Sequence, residues 1–189
     1  ALGLRGLAGW SRTVALAALL APACVPGVAL GLGLLQAAHG VGVAGGWPLL
    51  VFAHALMGLP VVVLLARMGL SDQVAELEAA ARGLGAGPLA VAWRVTLPLV
   101  APWLAAAAVA VFVISLNDAV VAVFVCGPDT ETLPVVAWRQ LRHAAGPLVA
   151  VAGTVTLAIS VLAGLFLLKS PERTIGALKS PERRREAPE

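Results

Sequence analysis

The sequence predicts an all-α integral membrane protein of four spans, with one helix–turn–helix loop set among them. Three observations carry that expectation. Of the 189 residues, 60% are hydrophobic and 12% charged, and the mean hydropathy is +0.94. Soluble domains hold about 25% charged residues, so a water-soluble core is excluded. The apolar residues gather in charge-free windows near the ~20 residues that a helix needs to cross the hydrocarbon. Between the second and third windows, Ser71 to Pro98 breaks this pattern with charges and a glycine-rich turn.

The spans follow in order. Residues 1–12 read as a short cytoplasmic segment, and 13–168 make up the membrane domain. The first span is expected over 13–35, where Pro22 and Pro26 read as kinks that a membrane helix tolerates. The second covers 47–66 and holds His54 and Pro60. A lone histidine in a span reads first as a satisfied packing residue. The third covers 97–116, and its apolar run continues to Cys126. As one helix, Leu97–Cys126 would measure about 45 Å, well beyond the hydrocarbon thickness. It must tilt, extend past the bilayer or break near Asn117-Asp118. The fourth lies in the apolar window Ala144–Leu168, with the span at 147–168. Beyond it, 169–189 read as a flexible polar tail in which LKSPER occurs twice. Trp47, Trp103 and Trp138 are placed either to anchor at the interface or to pack.

Charge gives the orientation. Four spans put both ends on one side of the membrane. On that side fall Arg5, Arg12, Arg67, Arg82, Arg94, Lys169, Arg173, Lys179, Arg183, Arg184 and Arg185, with only Arg139 and Arg142 opposite. Cytoplasmic loops collect the basic residues, so both termini and the 71–96 loop are expected in the cytoplasm. The net charge of +3 is thereby read as topology, and nucleic acid is not an expected partner. Cys24 and Cys126 lie about 100 residues apart in apolar segments without metal-like spacing, and neither a metal nor a cofactor is expected.

In the loop, Ser71 stands where a helix N-cap belongs, with Asp72 and Glu76 in the first turns. Val74, Leu77, Ala81 and Leu84 form a narrow apolar stripe, and Glu78 pairs with Arg82 at i, i+4. Gly85-Ala86-Gly87 ends this helix and Pro88 opens the next, where Leu89, Trp93 and Thr96 share a face. By periodicity alone, an interfacial connector and a docking plate are equally good readings.

The spacing around Gly85 resembles the EAA loop of binding-protein-dependent ABC importer permeases. That pattern is Glu-Ala-Ala, three residues, Gly, nine residues, an aliphatic residue, any residue, then Leu-Pro. With Gly85 as its glycine, Val95, Leu97 and Pro98 fall in register, and Ala80 and Ala81 match the two alanines. The glutamate position falls on Ala79, and Glu78 stands one residue early. In the family that carboxylate helps to seat the loop on an ATPase subunit. Here either Glu78 substitutes from one step around the helix, or coupling is weakened. Three further stretches are similar to spermidine/putrescine-type permeases: LLAPACVPGVALGLGLL, FAHALMGLPVVVLLAR and SLNDAVVAVFVCGPDTETLPVVAWRQLR. In the last, Asn117 replaces the first aspartate of the family's Asp-Asp pair and Asp118 keeps the second. The family has six spans, so a chain with the last four is expected to be a piece of a longer one.

The resemblance implies a type I ABC importer transmembrane domain in the bacterial inner membrane. Its partners would be cytoplasmic ABC ATPase subunits, a second permease subunit, an extracytoplasmic solute-binding protein and the lipid bilayer. With no GxxxxGK[ST] loop and no nucleophile–base set, the chain itself is not expected to be an enzyme. Glu78, Ala79, Ala80, Ala81, Gly85, Leu97 and Pro98 are the candidate coupling residues. Asn117 and Asp118 are candidates for the solute pathway, since an acid inside a span is costly unless it has work there. The competing reading of that pair is a helix cap near the outer interface. Arg139, Arg142 and His143 stand in the outer loop, where they either touch a binding protein or are solvated. Asp118 favours a cationic cargo such as a polyamine. The alternatives are iron, thiamine or an oxyanion as cargo, or a multi-pass scaffold protein that transports nothing.

Overall fold

The computed structural model describes residues 9–143, 147 and 149–165, with the backbone alone at Arg142 and His143. Helix α1 covers Gly9–Leu20 and a 3₁₀ turn follows at Ala21–Cys24. Then come α2 (Gly27–Gly40), α3 (Trp47–Gly69), α4 (Asp72–Gly83) and α5 (Pro88–Val91). A π-helical stretch at Ala92–Thr96 joins α5 to α6 (Leu97–Asn117), and α7 (Val120–Val125), α8 (Leu133–His143) and α9 (Val149–Leu165) complete the order. The described residues contain no strand. The polar tail expected over 169–189 and most of the segment 1–12 lie outside the described residues.

Among the described residues, two helices are long and apolar enough to cross a membrane: α3, and the continuous helix Pro88–Asn117 that contains α6. The expected first span departs from a single kinked helix. It is two helices bent by 106° at the break before Gly27, and counted together they make a third candidate span. The cause is local. Val25 precedes Pro26, and contact with the proline ring drives such a residue out of the helical region; Val25 is extended at φ −88°, ψ 126°. Pro22 and Pro26 also remove two N–H donors four residues apart. Pro60 is buried within α3 and leaves that helix unbroken.

Helix packing here depends on close approach, because lipid supplies no hydrophobic drive between helices. Gly27 and Gly31 on α2 face Val120, Val121 and Phe124 on α7. A Cβ on Gly58 of α3 would stand 2.5 Å from Val111 of α6, and one on Gly69 would stand 2.6 Å from Trp103. Trp103 is thus a packing residue, whereas Trp47 and Trp138 are exposed. The buried core gathers where α2, α3, α7 and α8 meet: Ala38, Leu49, Leu50, Ala53, Val121, Ala122, Val125 and Val135. At that end Gly46 N–H donates to the Val125 carbonyl at 2.9 Å, and Gly45 lies against Cys126-Gly127.

Candidate functional site

The loop between α3 and α6 is a helical hairpin. Ser71 holds the N-cap position of α4, but its hydroxyl makes no capping bond. The far end closes as a Schellman turn: Ala86 N–H donates to the Ala81 carbonyl at 3.0 Å and Gly85 N–H to that of Arg82 at 2.9 Å. Gly85 sits at φ +86°, and a Cβ there would meet nothing within 4 Å. Glycine is therefore needed for its conformation and not for its size.

The apolar stripe expected on α4 is not its buried face. Val74 and Glu78 are buried, whereas Leu77 is exposed and Leu84, just past the helix, is 91% exposed. Ala79 and Ala80 are exposed and Ala81 is half-buried. Leu89 and Trp93 are exposed while Thr96, expected on their face, is buried. The π-helical stretch Ala92–Thr96 changes the phase between them. That stretch lies just before Pro98, which has no N–H to give and whose ring crowds the carbonyl four residues back. Leu97 and Pro98 are exposed at the start of α6.

Glu78 faces inward. Its Oε1 accepts the Thr96 hydroxyl at 2.6 Å, the short distance of a charge-assisted bond. Its Oε2 accepts the expected i, i+4 bond from Arg82 at 3.0 Å. The turn from Ala79 to Glu78 is about 100° around a helix. It carries the carboxylate from the exposed face to the face that meets the π-helical stretch. Thr96 was legible from sequence only as a neighbour of Leu89 and Trp93, since its partner lies 18 residues earlier.

A second polar group lies at the break after α6. Asp118 is extended at φ −79°, ψ 113°, and caps α7: Oδ1 accepts Val121 N–H at 3.3 Å and Oδ2 accepts Ala122 N–H at 3.1 Å. His54 of α3 brings Nε2 to 3.3 Å from the same Oδ2, while its Nδ1 lies 2.7 Å from the Ser115 hydroxyl. His54 thus has polar partners on two sides, the satisfied packing residue that the sequence suggested. These partners lie 61 and 64 residues away, and the one sequence signal was two ionisable residues in otherwise charge-free windows. Asn117 points elsewhere. It donates to the Val113 carbonyl and the Ser160 hydroxyl, and it lines a groove of about 450 Å³ with Trp138, Thr156 and Ser160. Adjacent in sequence, Asn117 and Asp118 serve different surroundings. On α8, Arg139 pairs with Glu131 on the surface, and the side chains of Arg142 and His143 lie outside the described residues.

The family described as the binding-protein-dependent transport system inner membrane component matches residues 2–173. The chain is similar to the putrescine transport system permease protein PotI of Escherichia coli, 31% identical over 152 residues, 77% of this chain and 54% of that protein. It is similar also to the spermidine/putrescine transport system permease protein PotC of Escherichia coli, 31% identical over 137 residues, 72% of this chain and 52% of that one. The molybdenum transport system permease protein ModB of Mycobacterium bovis is 33% identical over 174 residues, 86% of this chain and 64% of its own length. The chain spans about half the length of the two Escherichia coli relatives. An all-helical chain with membrane-length apolar helices and a hairpin closed at Gly85 before Leu97-Pro98, it belongs to the family of binding-protein-dependent transport system inner membrane components.

Proposed function

We propose that the chain is the membrane domain of an ABC importer permease. It lines part of a solute path and passes force from an ATPase subunit to the membrane helices. The observation that carries this is the hairpin surface. Leu77, Leu84, Leu89 and Trp93 stand exposed on a polar loop, two to either side of the Gly85 turn. Apolar side chains held out of the membrane on such a surface want a protein partner. The turn is joined through α5 and the π-helical stretch to one continuous helix, Pro88–Asn117, so a load on the hairpin is borne by α6. On this reading the partner hydrolyses ATP, and the two end states differ in the contacts that the hairpin makes.

The loop at 71–96 and the segments 1–12 and 169–189 then lie in the cytoplasm, as the basic residues favour. A second permease subunit completes the path, and a solute-binding protein delivers cargo from the opposite side. The cargo we propose is a polyamine, after the printed names of PotI and PotC. The likeness to ModB favours a second reading with another small solute. Asn117, in the groove with Thr156 and Ser160, is a better candidate pathway residue than Asp118, whose two oxygens already accept bonds. The test is co-purification of the full-length chain with an ABC ATPase subunit, followed by uptake of labelled putrescine into ATP-loaded proteoliposomes. Absence of any ATPase association would reject the permease reading. Association without putrescine uptake would reject the cargo alone.

A further inference from the structure

The acid that the coupling pattern places at residue 79 stands one position early in this chain, and the hairpin geometry gives it a different task. On α4 the exposed face carries Ala79 and Ala80, and the buried face carries Val74 and Glu78. The Glu78 side chain is only 8% exposed, and its charge is met inside the hairpin by the Thr96 hydroxyl at 2.6 Å and the Arg82 guanidinium at 3.0 Å. A carboxylate so enclosed cannot seat a partner without first breaking those bonds, each stronger than a neutral hydrogen bond.

Thr96 is the last residue of the π-helical stretch and lies directly before Leu97-Pro98. Its hydroxyl also lies 3.5 Å from the Val91 carbonyl. Short π-helical turns inside α-helices are frequent at functional sites. Here the bond from Glu78 reaches the end of that turn, at the point where the helix continues as α6. It gives α4 a direct tie to the foot of α6, beside the path that runs along the helix itself.

We infer that Glu78 and Thr96 form a strut that transmits motion of the coupling helix across the π-helical stretch into α6, and that docking on the partner is left to the exposed apolar residues. Both are positioning residues. The inference rests on the permease reading above and specifies how its coupling loop works.

The test uses the full-length chain assembled in nanodiscs with a co-expressed ABC ATPase subunit. Cys24 and Cys126 are replaced by serine, and spin labels are placed at the exposed Ala55 of α3 and Ala108 of α6. The reading is the shift in label distance on trapping with ATP and vanadate, compared with the resting distance and the amount of ATPase retained. Thr96→Val keeps the volume and removes the hydroxyl, and Thr96→Ser keeps the hydroxyl. We expect Thr96→Val and Glu78→Gln to retain the ATPase and the resting distance and to lose the trapping shift. Thr96→Ser should keep it. A contact that served only to fold the loop would alter the resting distance or the retained ATPase instead. An undiminished shift in Thr96→Val overturns the strut. So does loss of ATPase in Thr96→Val with retention in Thr96→Ser, which would make the bond part of docking. A parent protein that retains no ATPase fails the permease reading itself and is recognised before any variant is compared.

Discussion

Two breaks in the helical chain serve opposite ends. The hairpin at 71–96 is built to stay open: its glycine turn has free space around it, and its apolar residues point outward. The break at 117–133 is built to be closed. Asp118 caps a short helix whose Val121, Ala122 and Val125 are fully buried, and Gly45 and Gly127 bring two backbones into contact. Glycine has a different meaning in each. Gly85 supplies a positive φ, whereas Gly127 supplies the absence of a side chain. A turn with free space around it tolerates change of shape, and a joint where four helices meet does not.

The largest expected effect belongs to the closed break. A Cβ on Gly127 would stand 2.8 Å from the Gly45 carbonyl oxygen, and backbone cannot swing aside as a side chain can. Gly127→Ala should cost about 3 kcal/mol, the upper range for overpacking. Reversible unfolding of the reconstituted chain in SDS measures it. A cost near that of Gly85→Ala would break the contrast between the two glycines.

Next is the Asp118 cap. Asp118→Ala removes the acceptor of two α7 amides and of His54. Loss of a cap costs about 1 kcal/mol, and an orphaned polar partner raises it to about 2 kcal/mol. Asp118→Asn keeps one acceptor oxygen and should lose about half as much in the same assay. Equal losses would mean that the charge toward His54, and not the cap, holds the break together.

Gly85→Ala follows at about 1 kcal/mol, the cost of holding a Cβ in the left-handed region. Gly85→Asn should cost less, since asparagine visits that region more readily. Thermal unfolding of the three proteins in one detergent gives the order. An alanine cost above that of Asp118→Ala would mean that the open hairpin is under more constraint than its surroundings suggest.

The two breaks also differ in how far sequence revealed them. The hairpin was legible because its signals are local. Gly85 ends one helix, Pro88 starts the next, and the register to Leu97-Pro98 spans only 13 residues. What sequence misjudged there was facing. A 100°-per-residue count over Leu89, Trp93 and Thr96 assumes a regular helix, and the π-helical stretch removes that assumption. At the break after α6, Asn117-Asp118 announced a cap or a break, but not the partner. His54 of α3 meets both Asp118 and Ser115, and periodicity carries no information about pairing across 61–64 residues. The 106° bend before Gly27 had a local cause in Val25-Pro26, yet Pro60 has the same chemistry and no break follows it. Proline sets the opportunity, and packing on both sides decides whether the helix survives.

The smallest effect on stability should carry the largest effect on association. Leu84 is 91% exposed, and Leu89 and Trp93 are exposed beside it. Substitutions at such positions change stability by about 0.5 kcal/mol or less. If these side chains are the docking surface, Leu84→Ser with Trp93→Ala should unfold like the parent protein and yet fail to retain an ABC ATPase subunit through purification. Interface anchors of this kind, aromatic above all, commonly cost 2 kcal/mol or more on truncation, roughly a thirtyfold loss of affinity. Ala79→Glu sharpens the point. It restores the acid at the position that the coupling pattern prefers, on the exposed face and away from Thr96. Tighter ATPase retention in Ala79→Glu, with Glu78 untouched, would show that this hairpin docks by apolar contact where a charge is otherwise used. No change would place the partner's contact surface on the Leu84–Trp93 side of the turn and leave Ala79 outside it.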